Sequence, residues 1–225
     1  MIGQDFEKKT GGNYIWSRNR SQTAIFTMPF SVNEWVPFRD LRYESGGIFS
    51  DGAYLKGTPL TDKTKTELQR LWYLTGTNRR EPRNLIGTFS INMDNIPLFS
   101  ETLTEVINDI DSALFEFVKV DNVWDSAHDC PIDGGPFYLA NLLRRIDSWD
   151  KELTEILSRR RPNGSYINDV SSKSKRVVMQ SAVEGISIWR DSVTRHVMCT
   201  EEFRDRIVEV GCHRWSFREV DVSER

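Results

Sequence analysis

Three close pairs of histidine and cysteine are the side chains of this chain that could do chemistry most directly. The pairs are His128 with Cys130, His196 with Cys199, and Cys212 with His213. They could assemble a metal site, or supply a cysteine nucleophile with a histidine base. Structural zinc sites usually place two cysteines two residues apart, and no such spacing or local nucleophile motif is present. The spacing therefore predicts neither a metal nor a cofactor, and a Cys–His enzyme stays an alternative.

A second candidate group consists of closely spaced carboxylates around Trp149: Asp147, Asp150, Glu152 and Glu155. Paired carboxylates can perform acid–base catalysis when burial raises the pKa of one of them, which would suit a small hydrolase. Exposed carboxylates form a solvated face, which is the commoner case, or they accept bidentate hydrogen bonds from arginine of a protein partner. The sequence leaves these three readings open.

The charges of the chain are segregated along the sequence. Between Ile91 and Leu157 there are 14 Asp and Glu against 4 Lys and Arg, a net charge of −10, although the formal charge of the whole chain is only −3. A concentrated negative surface attracts positively charged partners and speeds their encounter. A dedicated nucleic-acid binder usually has a strongly basic domain. We therefore expect a basic protein partner and no direct contact with nucleic acid.

The composition is typical of a soluble globular protein, with 38% hydrophobic and 28% charged residues. No apolar run reaches the roughly 18 residues that a membrane span requires, so no membrane contact is expected. The first residues, MIGQDFEKKTGG, lack the apolar region of a secretory signal. Three cysteines are an odd and sparse set for a disulfide framework. These features predict a cytoplasmic protein.

Several helices and strands must position these residues. A helix is predicted from Ser100 to Ile110, because apolar residues recur at helical spacing behind a serine that can cap it. The stretch 137–149 fits both a helix and a strand–turn–strand, and we favour the second. The other predicted elements are a polar arm or edge strand over 1–20, turns over 38–59, a helix over 61–74, loops over 75–82, 121–136 and 159–165, a strand over 114–120, a linker over 170–176, strands over 185–190 and 196–199, a helix capped by Thr200 and ended by Gly211, and a last strand marked by Trp215 and Phe217.

These elements do not alternate regularly as βαβ units do. Such mixed runs predict an α+β fold, with a mainly antiparallel sheet and a few packed helices in a single compact domain.

Three pieces of the chain carry recognisable patterns: Ile96–Val120, Gly135–Thr154 and Val197–Val220. The first is a Pro-Leu-hydrophobic-Ser-Glu helix start with a short helix and a strand. The second, GPFYLANLLRRIDSWDKELT, is similar to a family pattern of an aromatic-rich YxLLN followed by VDxLDxExS, in which Ala140 replaces a Leu and Thr154 replaces the usual Ser. The third is a strand, a helix and a final aromatic strand. In this order they resemble the Imm11 family of bacterial immunity proteins. The matching residues of the second piece are Tyr138, Leu139, Asn141, Ile146, Asp147, Trp149, Asp150 and Glu152.

The resemblance implies an immunity protein of a polymorphic toxin system used in interbacterial competition. Members of this family are taken to neutralise a cognate toxin by binding it, and they are not known as enzymes. A cytoplasmic inhibitor implies a toxin that acts there, such as a nuclease with a basic surface. The resemblance covers about the last 130 residues, so we expect an immunity-protein-like core over 91–225 and a variable part over 1–90 packed on the same fold. The alternatives are a small hydrolase and a scaffold or adaptor.

The predicted toxin contacts are exposed carboxylates of the acidic stretch: Asp121, Asp125, Asp129, Asp133, Asp147, Asp150 and Glu152. The resemblance implies structural roles for Tyr138, Asn141 and Trp149. A motif shared by a family is an unusual place for contacts with one particular partner. Asp147 and Asp150 therefore have an alternative role, in which they hold a turn through hydrogen bonds to the backbone. In that case the aspartates of the loop before Gly134 recognise the toxin.

Overall fold

In a computed structural model of the chain, the described residues form fifteen strands and four helices. The described residues are 24–28, 57–70, 73–75, 85–91, 94–125, 129–132, 135–160, 164, 166–211 and 217–224. The strands are β1 (Ile25–Met28), β2 (Tyr73–Thr75), β3 (Leu85–Ile91), β4 (Asp94–Ser100), β5 (Phe115–Val120), β6 (Val123–Asp125), β7 (Cys130–Pro131), β8 (Phe137–Leu142), β9 (Arg145–Ile146), β10 (Ile156–Arg160), β11 (Tyr166–Val170), β12 (Val177–Met179), β13 (Ile188–Asp191), β14 (Val197–Thr200) and β15 (Arg218–Ser223). The helices are α1 (Asp62–Arg70), α2 (Glu101–Asp111), α3 (Gln180–Val183) and α4 (Glu201–Glu209).

The largest sheet has six strands in the order β12-β15-β1-β14-β13-β9. Its three central pairs are antiparallel, and the outer pair at each end is parallel. Strand β1 lies between β15 and β14, and its residues Ile25 and Phe26 are buried. A segment from well before residue 90 is therefore a central strand of this sheet.

A second sheet, β3-β4-β8-β5, is antiparallel throughout. Helix α2 follows β4 directly, and the Ser100 hydroxyl caps it by accepting the Leu103 N–H at 3.3 Å. Helix α4 begins in the same way, because the Thr200 hydroxyl accepts the Phe203 N–H at 3.3 Å. Two smaller sheets, β2-β6-β7 and the hairpin β10-β11, complete the described fold.

One hydrophobic core joins the two large sheets through helices α2 and α4. It includes Phe99 and Leu103 at the junction of β4 and α2, Phe26 from β1 and Phe203 from α4. Phe99 packs edge-to-face on Phe115, with ring centroids 6.0 Å apart. Because both large sheets share this core, they belong to a single compact domain. Most strand pairs are antiparallel and a few helices pack on the sheets, so the predicted α+β fold is confirmed.

A second core covers the other face of the six-stranded sheet. It contains the fully buried Trp149 and Trp189 together with Ile25, which faces opposite to its neighbour Phe26, as side chains alternate along a strand. No helix in the described ranges is both long and apolar enough to span a membrane.

Most of the predicted elements within the described residues are confirmed. They are the helix from Ser100, the strand before Val120, the strand–turn–strand over 137–149, the strands near 185–190 and 196–199, and the helix capped by Thr200. The last strand begins at Arg218, immediately after Phe217. The predictions for residues 1–20 and 38–56, and that for Trp215, lie outside the described residues.

Several predicted boundaries are wrong, including the start of the loop expected over 75–82 at Thr75, which is part of β2, and in each case strand pairing explains the difference. The helix expected over 61–74 ends at Arg70, because Tyr73–Thr75 pairs in parallel with Val123–Asp125. The same pairing, and that of β6 with β7, places short strands inside the loop expected over 121–136. The loop expected from Arg159 and the linker expected from Val170 both begin inside the paired strands β10 and β11.

Candidate functional site

Helix α2 presents a row of carboxylates to solvent. Glu101, Glu105 and Asp109 follow one another at four-residue intervals, so they lie on one face of the helix, and all three are exposed. Like charges at this spacing destabilise a helix by roughly 0.2–0.5 kcal/mol per pair. No basic residue lies in the last turn to offset the unfavourable charge of Asp111 at that end. The buried apolar face of the helix therefore holds it in place, and we call these three residues the acidic row.

Tyr138 connects the acidic row to the loop that follows β5. Its hydroxyl donates to Glu101 Oε1, 3.5 Å away. Partial burial, followed by the charges of Glu101 and Glu105, raises the pKa of Tyr138. Tyr138 pairs across the sheet with Lys119, whose Nζ lies 3.8 Å from Asp121 Oδ1. Glu101, at the start of the acidic row, and Asp121 thus lie at the same end of the four-stranded sheet, and α2 runs from there toward the other end. We call the acidic row and Asp121 together the acidic surface.

Two of the four predicted loop aspartates have described side chains. Asp121 and Asp129 are both exposed. Asp129 Oδ1 accepts the indole N–H of Trp124 at 3.3 Å, and its φ of 51° lies in the left-handed region, which aspartate tolerates better than most residues. The backbone of Asp125 belongs to β6, but its side chain and the whole of Asp133 lie outside the described residues.

The carboxylates near Trp149 have unlike surroundings. Asp147 is exposed and forms an ion pair with Lys151, and Glu152 is exposed as well. Asp150 is only 2% exposed, and its Oδ1 accepts the N–H groups of Glu152 at 3.0 Å and Leu153 at 3.3 Å. Asp150 therefore has the turn-holding geometry of its alternative role. Asp147, Glu152 and Glu155 are the exposed members of this group, and the first two are among the predicted toxin contacts.

Asp191 is the fully buried partner of this segment, and it is absent from the predicted site residues. Its Oδ2 accepts the N–H and the hydroxyl of Ser148, both at 3.0 Å. Its Oδ1 accepts the Val193 N–H at 3.0 Å, and the N–H and hydroxyl of Thr194 at 2.7 and 2.9 Å. The Trp149 indole N–H in turn donates to the Thr194 hydroxyl at 2.9 Å. One carboxylate thus fastens the segment around Trp149 to strand β13.

Asn141 belongs to a second network, between β8 and the segment before α1. Its Nδ2 donates to Thr58 O and to Glu116 Oε2, both at 3.1 Å. The same Oε2 accepts the Leu60 N–H at 2.7 Å, and Lys65 Nζ lies 2.8 Å from Glu116 Oε1. Burial opposes ionisation of Glu116, but these hydrogen bonds outweigh it, so the pKa of Glu116 is lowered. The network holds α1 and its preceding segment on the four-stranded sheet.

His196 and Cys199 form the one His–Cys pair that lies entirely within the described residues, and both contribute to packing. Cys199 is fully buried, and burial raises the pKa of its thiol well above the usual range. His196 lies edge-on to Trp149, with centroids 6.0 Å apart, and burial lowers its pKa although its Nε2 is 3.2 Å from Asp169. Cys130 is exposed, whereas His128, Cys212 and His213 lie outside the described residues. Within the described residues, no three His, Cys, Asp or Glu are placed to hold a metal ion.

A cleft of about 400 Å³ lies beside α3 and the start of α4. Apolar residues that include Ile25 and Val183 line it together with the carboxylates of Glu184 and Glu202. No histidine, cysteine or aspartate from the described part of the chain lines this cleft. It therefore contains neither a Cys–His pair nor the carboxylates around Trp149 that the predicted hydrolase would use.

An α+β fold that presents exposed carboxylates along one helix and in a neighbouring loop is suited to bind a partner of opposite charge. Comparison with known families identifies the kind of protein: the model of the Imm11 immunity protein family matches residues 43–222. The chain therefore belongs to the Imm11 family of immunity proteins. The match begins ahead of the pieces that carried the resemblance, and the division at residue 90 stays a prediction. A search of curated proteins finds no match.

Proposed function

We propose that this protein binds and neutralises one cognate bacterial toxin that acts in the cytoplasm, by forming a stoichiometric protein–protein complex. The observation that carries the proposal is membership of an immunity-protein family in a chain with an exposed acidic surface. Immunity requires rapid capture of the toxin, and opposite charges on the two partners accelerate their association.

The acidic surface is the proposed contact with the toxin. Helix α2 contains no lysine or arginine, so the carboxylates of the acidic row keep much of their negative potential for a partner. Asp121 extends the surface beyond Tyr138, and Asp129 adds a second exposed loop carboxylate. Asp147 and Glu152 remain further contact candidates, although Lys151 already neutralises part of the charge of Asp147.

The proposed toxin is basic around its active site, as nucleases are. The carboxylates of the acidic surface take the place of nucleic-acid phosphates, and the toxin is inhibited because its substrate cannot enter. Arginine of the toxin can bind such carboxylates in bidentate fashion, which adds orientation to the attraction.

A titration of toxin activity tests the proposal. The protein encoded by the neighbouring gene is purified and mixed with increasing amounts of this protein. We expect its activity to fall linearly and to vanish near one equivalent, and the two proteins to elute together from a sizing column. A toxin that stays fully active in excess of this protein would refute the immunity function. An inhibited toxin without nuclease activity would refute only the proposed toxin class.

The surface is tested by exchanging charges in two matched variants. The first variant combines Glu105→Lys with Asp109→Lys in the acidic row. The control combines Glu184→Lys, directly after α3, with Asp221→Lys in β15; both residues are exposed, and the total change of charge is the same. The first variant should require a larger excess for full inhibition at low concentrations, and the second should behave like the wild type. Equal behaviour of the two variants would remove the acidic row from the interface.

A further inference from the structure

The hairpin of β10 and β11, which we call the arm, carries an unusual set of exposed side chains. Tyr166 is 63% exposed and Ile167 is 36% exposed. Across the hairpin, Arg160 pairs with Tyr166 and Arg159 pairs with Ile167, and both arginines are exposed. Tyrosine and arginine are, with tryptophan, the side chains that are enriched at binding hot spots. The outer half of the arm therefore has the composition of a protein-binding surface.

The arm is anchored to the body of the protein at its base. There Asp169 Oδ1 lies 3.2 Å from His196 Nε2, Asn168 Nδ2 donates to Val193 O at 3.4 Å, and Val170 is buried. Farther out, consecutive residues on each strand are exposed, so both faces of the arm are in contact with solvent. A two-stranded hairpin gains little stability from apolar side chains in water. Stability of the isolated chain therefore does not explain Tyr166 and Ile167, and a partner would.

The charge of the arm selects the kind of partner. Arg159 and Arg160 form no ion pair with a carboxylate among the described residues. A complementary surface needs carboxylates on an exposed element, and this chain itself presents one in the acidic row of α2. We propose that the arm of one copy docks on the acidic row of a second copy, with Tyr166 as the apolar anchor between the two arginines and the carboxylates.

The contact joins two different surfaces of the same chain. If the arm of each copy docks on the acidic row of the other about a twofold axis, the two copies form a closed dimer. If each copy docks its arm on a different neighbour, the copies form a head-to-tail chain. The outer parts of two strands on one helix face form a small contact, and interfaces below about 1,200 Å² are typically transient. The self-association is therefore expected to have a dissociation constant between about 1 μM and about 1 mM.

Sedimentation equilibrium of the full chain tests the proposal without a toxin, so its outcome does not depend on the proposed function. The apparent mass should rise with concentration between about 10 μM and about 1 mM in low salt. In 0.5 M salt the self-association should be weaker by about tenfold or more, because the attraction is between charges of the arm and charges of the acidic row, and salt screens them. A wild-type protein that stays monomeric over this range refutes the proposal.

A charge exchange between copies identifies the surfaces. One variant combines Arg159→Glu with Arg160→Glu, and the other combines Glu105→Arg with Asp109→Arg. Each variant alone should stay monomeric, because its arm and its acidic row then have the same sign. An equimolar mixture should associate again, because the arm of each variant is complementary to the α2 row of the other. A mixture that fails to associate, while circular dichroism shows both variants folded, overturns the proposal.

Two further results separate the arm from other surfaces. Tyr166→Ala should weaken self-association of the wild type by about tenfold or more, as expected for a hot-spot side chain. Association that is insensitive to the arm and row variants would place the interface elsewhere and contradict the inference. An arm variant that self-associates normally but loses toxin binding would also contradict it, because the arm would then belong to the toxin interface.

Discussion

The acidic surface and the network around Asp191 use the same kind of side chain in opposite surroundings. The carboxylates of the acidic row are exposed and repel one another along α2. The carboxylate of Asp191 is fully buried and accepts five hydrogen bonds from Ser148, Val193 and Thr194. Both regions use carboxylates, so burial and bonding partners distinguish the proposed recognition surface from the structural network.

This difference implies that the two regions respond differently to substitution. Removal of a buried, fully bonded charge leaves its donors without partners and destabilises the fold. Removal of an exposed carboxylate changes stability little, but it changes the electrostatic attraction of a partner. Stability and binding measurements on the same variants can therefore separate the two roles.

The largest expected effect is on folding, at Asp191. Asp191→Ala should lower the free energy of unfolding by about 3–5 kcal/mol, because five donors lose their acceptor in the interior. Urea unfolding followed by circular dichroism measures this loss. Asp147→Ala is the control, because Asp147 is exposed, and it should change the same quantity by less than about 0.5 kcal/mol. Similar losses of unfolding free energy at Asp191 and Asp147 would contradict the distinction between the buried and the exposed carboxylates. If Asp191→Ala does not fold, Asp191→Asn should still be less stable than Asp147→Ala, with a smaller loss.

A smaller effect is expected at Thr154, which ties the same segment to β12. Its hydroxyl donates to Val177 O at 3.2 Å and accepts the Val177 N–H at 2.9 Å. Thr154→Val keeps the shape but leaves both backbone groups without this partner, so unfolding should become easier by about 1–3 kcal/mol. Thr154→Ser retains the hydroxyl and should lose less. A serine variant that is as unstable as the valine variant would mean that the methyl group, and not the hydrogen bonds, stabilises this site.

Glu116 should make stability depend on acid pH. The pKa of Glu116 is lowered in the folded state from a value of 4.5 in the unfolded chain. Its ionised form therefore stabilises the fold above pH 4.5, and this contribution disappears as the pH falls below 4.5 through the lowered pKa. Compared with Glu116→Gln, the wild type should be more stable by about 1–2 kcal/mol at pH 7, and the difference should shrink in acid. A difference that is constant from pH 7 to pH 3 would contradict the assigned role of the charge.

The smallest expected change in stability is at the acidic row. Glu105→Lys with Asp109→Lys turns the repulsion between positions 101 and 105 into an attraction and places positive charge near the C-terminal end of the helix. The two introduced lysines repel each other, as the replaced carboxylates did, so stability should rise by only a few tenths of a kcal/mol. Thermal unfolding compared with the wild type measures the change. A loss of more than about 1 kcal/mol would mean that the row is part of the fold.

Local features of the chain made several elements predictable from the sequence. Ser100 and Thr200 cap helices whose apolar residues recur at helical spacing, and both helices form as expected. The carboxylates of the acidic row repeat every four residues, so their common face was also visible in the sequence. The prediction instead emphasised the loop aspartates, because a motif shared by a family is an unusual place for contacts with one particular partner.

The remaining features depend on contacts between residues far apart in the sequence. Ser148 and Asp191 are 43 residues apart, and no local pattern relates them. Ser148, Trp149 and Asp150 are buried in succession, which fits neither a helical nor a strand period, so the burial of Asp150 was not apparent. Strand β2 likewise depends on its parallel pairing with β6, and that pairing overrode the helical pattern of residues before it.

The rate of association with the toxin tests the central claim, that the acidic surface recognises the partner, most directly. Stopped-flow rates are measured in low and high salt for the wild type, for Glu105→Lys with Asp109→Lys, and for the matched control Glu184→Lys with Asp221→Lys. The row variant should associate at least about tenfold more slowly in low salt and show a weaker salt dependence, whereas the control should stay within about threefold of the wild type. Equal slowing in both variants would contradict the account, because net charge and not the acidic surface would then govern recognition.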